Sequence, residues 1–415
     1  MFFRFNLLLS LLVLISIPAF GQAKPDTISI ASHNFKTGET SITAVSQTKK
    51  PSSGSSEIKL WGGSPSPQKG KFTPNDFTNH TWITNREALM TYPLSSVVKI
   101  WVTNSQGTAA GSGMLIGPRH VLTARHVIYN EDQGKWASSV KVAAGYGDPQ
   151  DWSPFGESHG TQGMILVEPF PGTWSFDIGV IELDRPIGAL AGSVGIAAQD
   201  DWGSLICLGN RFFEEGQFYF GGYPGQSFDG NSMRVWSGNF DYVSWHQLLF
   251  DNEAGPEPGD SGSCTFTFVE NQPYIVAVHN GETPLISLCS LTITQASIQS
   301  RFDLFKLAHV AQFAEKSLTD ASDLVPLDVR VGTGNNPKHQ APVLYPGEPI
   351  EGLNVKIHNY SATDWSGDLK YEVYLSTDAE LDPTNDRLLG EGQDARSIPS
   401  LGTGVLTTSQ HFLPI

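Results

Sequence analysis

Residues 121–127 read Val-Leu-Thr-Ala-Arg-His-Val and follow Gly111-Ser112-Gly113-Met114-Leu115-Ile116. Two short apolar runs with turn-forming residues between them predict short strands. The second run ends in His126, a side chain that exchanges a proton near neutral pH. On its own such a histidine is as well explained by a structural hydrogen bond. Further along, Phe176-Asp177-Ile178-Gly179-Val180-Ile181-Glu182-Leu183 places an acid at the mouth of an apolar strand. Asp177 is either a turn residue or the group that fixes an imidazole tautomer and stabilises its cation. The last element is Gly259-Asp260-Ser261-Gly262-Ser263. A serine hydroxyl is a weak nucleophile until a base takes its proton. Glycines allow the tight turn that aims the N–H groups of Gly259 and Ser261 at one oxyanion. Alone, the pentapeptide is also a plain glycine-rich hairpin.

In the order His126, Asp177, Ser261, these motifs resemble those of the chymotrypsin-like serine endopeptidases. Gly222-Tyr223-Pro224-Gly225, Ser263 and Val278-His279-Asn280-Gly281 are similar to the bacterial glutamyl-endopeptidase branch. The resemblance spans about residues 92–315. It implies an all-β fold of two six-stranded β-barrels ending in a helix, with the active site between them. It also implies that Ser261 attacks, His126 shuttles the proton, Asp177 orients His126, and the N–H groups of Gly259 and Ser261 bind the oxyanion. His279 falls where that branch meets an acidic substrate side chain, so the implied preference is for cleavage after Glu or Asp, through a charge-assisted hydrogen bond. Glu282, three residues on, works against that preference. Gly281 and Gly255 complete the expected specificity residues, Gly255 standing where enzymes selecting Lys or Arg carry an Asp.

Two positions depart from the pattern. Arg125 stands where a small residue is usual, and is expected either to pack outward or to hold an acidic loop. Asp260 is expected to pair either with a new N-terminus made by activation or with an internal arginine such as Arg119 or Arg125. Cys264 and Cys289 bracket the hairpin after the serine; they form either a bracing disulfide or two buried thiols, with Cys207 left over and inert.

Around this region, short strands are expected at residues 97–102, 114–116, 140–143, 163–167, 179–183, 217–221 and 274–278, and one helix at about 296–315 from the spacing of Ile298, Phe302, Phe305, Ala308 and Phe313. Residues 1–21 read as a secretory signal: Arg4, an apolar run from Leu7 to Ile17, then Pro18-Ala19-Phe20-Gly21. No later span is expected, and the protein is expected to be secreted or periplasmic. Residues 22–90 are rich in Ser, Thr, Lys, Pro and Gly and read as a leader or pro-segment, with a linker at 51–56. The protease-like unit is expected over 91–318.

Residues 319–415 form the remaining unit. Asp323-Leu324-Val325-Pro326, Pro346-Gly347-Glu348 and Tyr374-Leu375-Ser376-Thr377-Asp378 resemble the cell-adhesion-related, CARDB-type Ig-like β-sandwich of bacterial exported proteins. That resemblance implies a role in binding cell-surface or matrix material. The chain stops inside what reads as the last strand pair, so the sandwich is expected to be short or truncated. Asp378, Asp382 and Asp386 offer hard oxygen ligands for Ca²⁺, with a solvated turn the simpler reading; no other metal or cofactor is expected.

Composition narrows the function. There are 26 Lys and Arg against 42 Asp and Glu, a net charge of −16, which repels a phosphate backbone or an anionic membrane. Hydrophobic residues make up 39%, ample for packed cores. The function expected is a secreted serine endopeptidase acting on proteins or peptides. The alternatives are a catalytically silent, protease-like binding protein and an esterase. Against an esterase, the Gly-x-Ser-x-Gly elbow is absent at Ser261.

Overall fold

The structure, a computed structural model, describes residues 27–46, 58–64, 81–147, 152–167, 174–199, 211–214, 216–225, 230–240, 242–243, 247–251, 258–287, 292–316, 323–330, 349–350, 354–375, 382–407 and 411–412. The signal reading at 1–21, the linker at 51–56, Cys207, Gly255, Cys289 and Asp378 lie outside these residues. No described helix is long and apolar enough to cross a membrane.

Six strands close a first barrel. In order around it they are Ser139–Ala144, Val97–Asn104, Gly107–Leu115, His120–Thr123, Gly179–Leu183 and Glu157–Val167, the last pairing back to the first through Lys141↔His159. The alternation within these strands explains why they are apolar almost throughout. Val98, Ile100, Val121, Val140, Val142 and Ile181 fill the barrel. Their sequence neighbours Val97, Leu122 and Val180 join a second cluster with Tyr223, Val235, Cys264 and Val278, so both faces of the strands are buried.

The second sheet runs Gln247–Asp251, Thr292–Arg301, Gln272–Ser287, Cys264–Val269, Phe218–Gly222 and Met233–Gly238, with Gly195–Ala198 paired in parallel to Gln272–Ser287. Its core is aromatic: Phe213, Phe218, Phe220, Trp236 and Phe240 pack with Leu248 and Val276. The architecture is all-β and chymotrypsin-like with few helices: one closed six-stranded barrel and a second, larger sheet, called the second barrel below, whose closure is not seen among the described residues.

Two expectations need correction. The stretch expected as one helix over 296–315 is divided. Residues up to Arg301 complete the strand Thr292–Arg301, and the helix is Leu304–Lys316. Asp303 sets the boundary, its Oδ1 accepting the Lys306 N–H at 2.8 Å as an N-cap. Ile298 and Phe302 matched a helical period only by coincidence. The second correction concerns 22–90. Thr27–Asn34 and Thr40–Ser46 form a hairpin that extends the first barrel's sheet, with Ser29↔Val167 through Asn34↔Gln162 in register. Ile28 and Ala31 are buried there. Lys59–Trp61 pairs with Gly195–Ala198, and Thr81–Ile83 with Met233–Val235. The region read as leader therefore supplies strands to both sheets.

Beyond the helix, Leu324–Arg330, Asn354–Asn359 and Thr403–Thr407 form a three-stranded sheet, and Trp365–Leu375 pairs with Arg387–Ile398. Ile357, Ile398 and Leu406 make a small core. Arg119 reaches from the first barrel to this region, 3.3 Å from Asp323 and over the Tyr360 ring at 4.2 Å. Asp382 and Asp386 spend their carboxylates on their own turn: Oδ2 of Asp386 accepts the Asp382 N–H at 2.7 Å, and Asp382 accepts the Thr384 N–H at 2.9 Å and the Asn385 side chain at 2.6 Å. Among the described residues no group of three acids, histidines or cysteines could hold a metal ion.

Candidate active site

His126 lies in a short helical turn, Arg125–Ile128, at the end of the strand His120–Thr123. Asp177 lies immediately before the neighbouring strand Gly179–Leu183. Pairing of these two strands, with Gly179↔Thr123 opposite, brings the side chains together. Asp177 is fully buried. Its Oδ1 accepts the His126 backbone N–H at 3.0 Å, and its Oδ2 lies 2.7 Å from His126 Nδ1. A carboxylate can only accept, so the Nδ1 proton points at Asp177 and Nε2 is left as the acceptor. Burial pushes the His126 pKa down, but the charge and hydrogen bond of Asp177 outweigh it, and the net direction is up. Ser261 and His126 line one cleft of about 350 Å³.

The loop carrying Ser261 is held from several sides. Gly259 has φ of +105°, and a Cβ there would come within 2.5 Å of the Tyr223 carbonyl oxygen, so only glycine fits. Gly262, at φ of +86°, would put a Cβ 2.1 Å from Thr123 Oγ1. The Gly262 N–H donates to the His279 carbonyl at 2.9 Å, and the Ser263 N–H to the Asp260 carbonyl at 2.9 Å. Among the described residues neither the Gly259 nor the Ser261 N–H is spent on another acceptor, which leaves both for an oxyanion.

Ser112 was missed from sequence. It is fully buried. Its N–H donates to the Ser261 carbonyl at 2.8 Å, and its hydroxyl donates to the Gly259 carbonyl at 2.7 Å while accepting the Tyr223 N–H at 2.9 Å. One first-barrel serine thus fixes both sides of the second-barrel loop. The signal was present in Gly111-Ser112-Gly113, read only as the approach to a strand.

Asp260 pairs with neither expected arginine. Arg119 serves Asp323, and Arg125 lies elsewhere. The partner is Arg234, buried in the strand Met233–Gly238, with its guanidinium 3.4 Å from Asp260 Oδ2 and over the rings of Trp236 at 4.6 Å and Trp82 at 5.5 Å. Sequence distance hid the pair. Arg125 does hold an acidic loop, 2.5 Å from Glu131, yet it is buried rather than packed outward, and its Nε stands 4.0 Å from Asp177 Oδ1.

On the far side of His126 stands Trp174, its ring edge-on to the imidazole at 5.7 Å. Its φ of +56° is unusual for a bulky residue. Its carbonyl accepts Asn280 Nδ2 at 2.7 Å and Ser300 Oγ at 2.6 Å. The register between the two long second-barrel strands shifts between His279 and Gly281, a β-bulge of the kind that re-aims side chains near active sites.

His279 lies in the strand Gln272–Ser287 and is 2% exposed, edge-on to Phe220 at 5.3 Å. Burial, with a smaller push from His126, lowers its pKa to about 3, so it is neutral at pH 7. A Cβ at Gly281 would meet no atom of the described residues within 4 Å. Glu282 lies in the same strand, paired with Ser297. Cys264 is a free, buried thiol with Sγ near the carbonyls of Leu122 at 3.8 Å and Gly262 at 3.7 Å, not half of a disulfide.

Residues 91–283 match the family described as Trypsin. This stretch is a trypsin-like serine protease domain. A glutamyl endopeptidase of Bacillus licheniformis is 32% identical over 117 residues, 28% of this chain and 34% of the relative. The match thus spans about a third of that relative's length. Among solved structures, a Glu endopeptidase in complex with MPD has a TM-score of 0.44 at 20% identity, covering 58% of this chain and 98% of the other. The protease Anisep from Arthrobacter nicotinovorans has a TM-score of 0.41 at 16% identity, covering 54% and 96%.

Proposed function

We propose that the protein is a secreted serine endopeptidase with Ser261, His126 and Asp177 as its triad. The single observation that carries the reading is His126, its Nδ1 2.7 Å from Asp177 and its ring on the wall of the cleft that Ser261 shares. Ser261 Oγ adds to the scissile carbonyl carbon as His126 Nε2 takes its proton. The carbonyl oxygen becomes an anion facing the N–H groups of Gly259 and Ser261. The imidazolium gives the proton to the leaving amine, the C–N bond breaks, and an acyl-enzyme remains. Water repeats the sequence and frees the acid and Ser261. The steps need no metal or cofactor.

Cleavage after an acidic residue is part of the proposal, supported by the position of His279 and by the activity named for the Bacillus licheniformis relative. A neutral His279 can still donate one hydrogen bond to a carboxylate, and an arriving anion favours its protonation. Export rests on residues 1–21, and a binding role for 319–415 on its motifs.

The test is labelling by a fluorophosphonate beside the Ser261→Ala variant, followed by mapping of cut sites in a denatured protein mixture. Labelling lost in the variant, with cuts after Glu and Asp, is the expected result. Folded protein that neither labels nor cuts overturns the endopeptidase and favours the silent binding protein.

A further inference from the structure

The cleft that begins at Ser261 and His126 continues over the first barrel alone, past Ala110, Tyr129, Lys135 and Trp136. Trp174, His279 and Gly281 are not among its walls. Among the described residues no carboxylate lines it, in a chain of net charge −16. Glu131, in the turn just before, is drawn away by Arg125, and neither it nor Asp132 faces the cleft. Lys135 is exposed.

The wall is rigidly backed. Tyr129–Asn130 and Lys135–Trp136 pair as a small ribbon. The Trp136 ring meets Tyr129 edge-on at 5.4 Å and stacks on His33 at 5.1 Å, with Phe35 edge-on at 6.3 Å. His33 and Phe35 belong to the 27–46 hairpin, so the segment read as a leader supports a wall of the site.

Direction follows from the proton. His126 must protonate the leaving amine, so the residues after the scissile bond pass His126 on the side away from His279. That path is this cleft. We propose that the cleft binds the residues following the scissile bond, and that Lys135, set by Trp136 and the 27–46 hairpin, selects acidic side chains there. The proposal rests on the endopeptidase reading.

Quenched fluorescent peptides with one acyl half and Glu-Glu, Gln-Gln or Lys-Lys after the scissile bond test it. Rates are divided by each variant's rate on the matching p-nitroanilide, which has no residue there. An exposed ion pair is worth up to about 1 kcal/mol, about fivefold. Glu-Glu should exceed Lys-Lys by at least that factor, less at high salt. Lys135→Glu should invert the order, and a His33→Ala, Phe35→Ala double variant should flatten it. Equal rates, or a ratio untouched by Lys135→Glu, overturn the proposal. Binding of the same peptides to the Ser261→Ala protein by fluorescence anisotropy is independent of turnover. If wild type cleaves nothing, a Lys135-dependent preference for Glu-Glu binding sustains the cleft assignment while the endopeptidase reading fails, and its absence ends both.

Discussion

Asn280 donates its side-chain amide to the carbonyl of Trp174 at 2.7 Å, tying the bulged strand of the second barrel to the loop that leads into Asp177 in the first. The bond joins the two sheets close to Asp177, and Ser300 reinforces it. Removing one partner of a buried hydrogen bond costs about 1–3 kcal/mol. Asn280→Ala should therefore lower kcat/KM by about tenfold or more, while fluorophosphonate still labels Ser261 at a reduced rate. An unchanged kcat/KM would show that the Trp174 loop holds its place unaided.

Asp177→Asn separates the triad from a turn-capping role. A triad predicts a loss of about 10⁴-fold, because the imidazole is held in the wrong tautomer. It also predicts a direction. His126 must be neutral to act, and Asp177 raises its pKa, so activity is lost as pH falls through a value above 6.5. In the variant the acid limb should move to lower pH. A limb that stays in place would separate His126 from Asp177.

Arg234 is expected to position Asp260 and, through it, the nucleophile loop. Breaking a buried pair by removing one member costs about 3–5 kcal/mol, so Arg234→Met should lose most activity. Arg234→Lys gives the sharper readout. A guanidinium stays charged throughout the working range, so wild-type activity should persist into alkaline pH, whereas the lysine should add an alkaline limb as it deprotonates. Wild-type loss between pH 8 and 9, a range typical of an amino terminus at about 8, would point to the chain end instead.

Folding stability should fall at acid pH. Burial lowers both His120 and His279 to about 3. Below pH 6.5 the unfolded chain binds protons the folded one refuses, so stability drops as pH falls from about 6.5 to about 3, by up to about 1.4 kcal/mol per pH unit for each histidine. The raised His126 acts oppositely, favouring the folded state at low pH. Melting curves should flatten over this range in His120→Gln. Curves that match wild type would remove His120 from the account.

Alkylation in denaturant, without prior reduction, should modify Cys264, and reducing agent should leave activity unchanged. Burial pushes its thiol well up, so native protein should not react there. Protection of Cys264 in denaturant until reductant is added would restore the disulfide.

Much of this was legible in the chain. The motifs around His126, Asp177 and Ser261 are local, and the apolar runs of a closed barrel are continuous enough to mark strands. What escaped was long-range or mixed in composition. Arg234 meets Asp260 through the fold, and nothing near either residue signals the other. Ser112 works through its hydroxyl and main chain, inside a strand whose pattern shows only its apolar residues. The 27–46 hairpin is built from short Ile, Ala and Val alternations within Ser- and Thr-rich sequence, where composition outweighed pattern. The helix start at Asp303 carried a capping acid, but apolar residues at chance spacing on either side obscured it.

The 27–46 hairpin also changes what a cut in the chain can achieve. Six paired positions, from Ser29↔Val167 to Asn34↔Gln162, together with the His33–Trp136 stack, bind it to the barrel independently of the peptide bonds after Ser46. Cleavage downstream of Ser46 divides the polypeptide without dividing the molecule. Two bands on a denaturing gel would run as one particle in native buffer, and the apparent mature N-terminus would be a poor guide to which residues remain aboard.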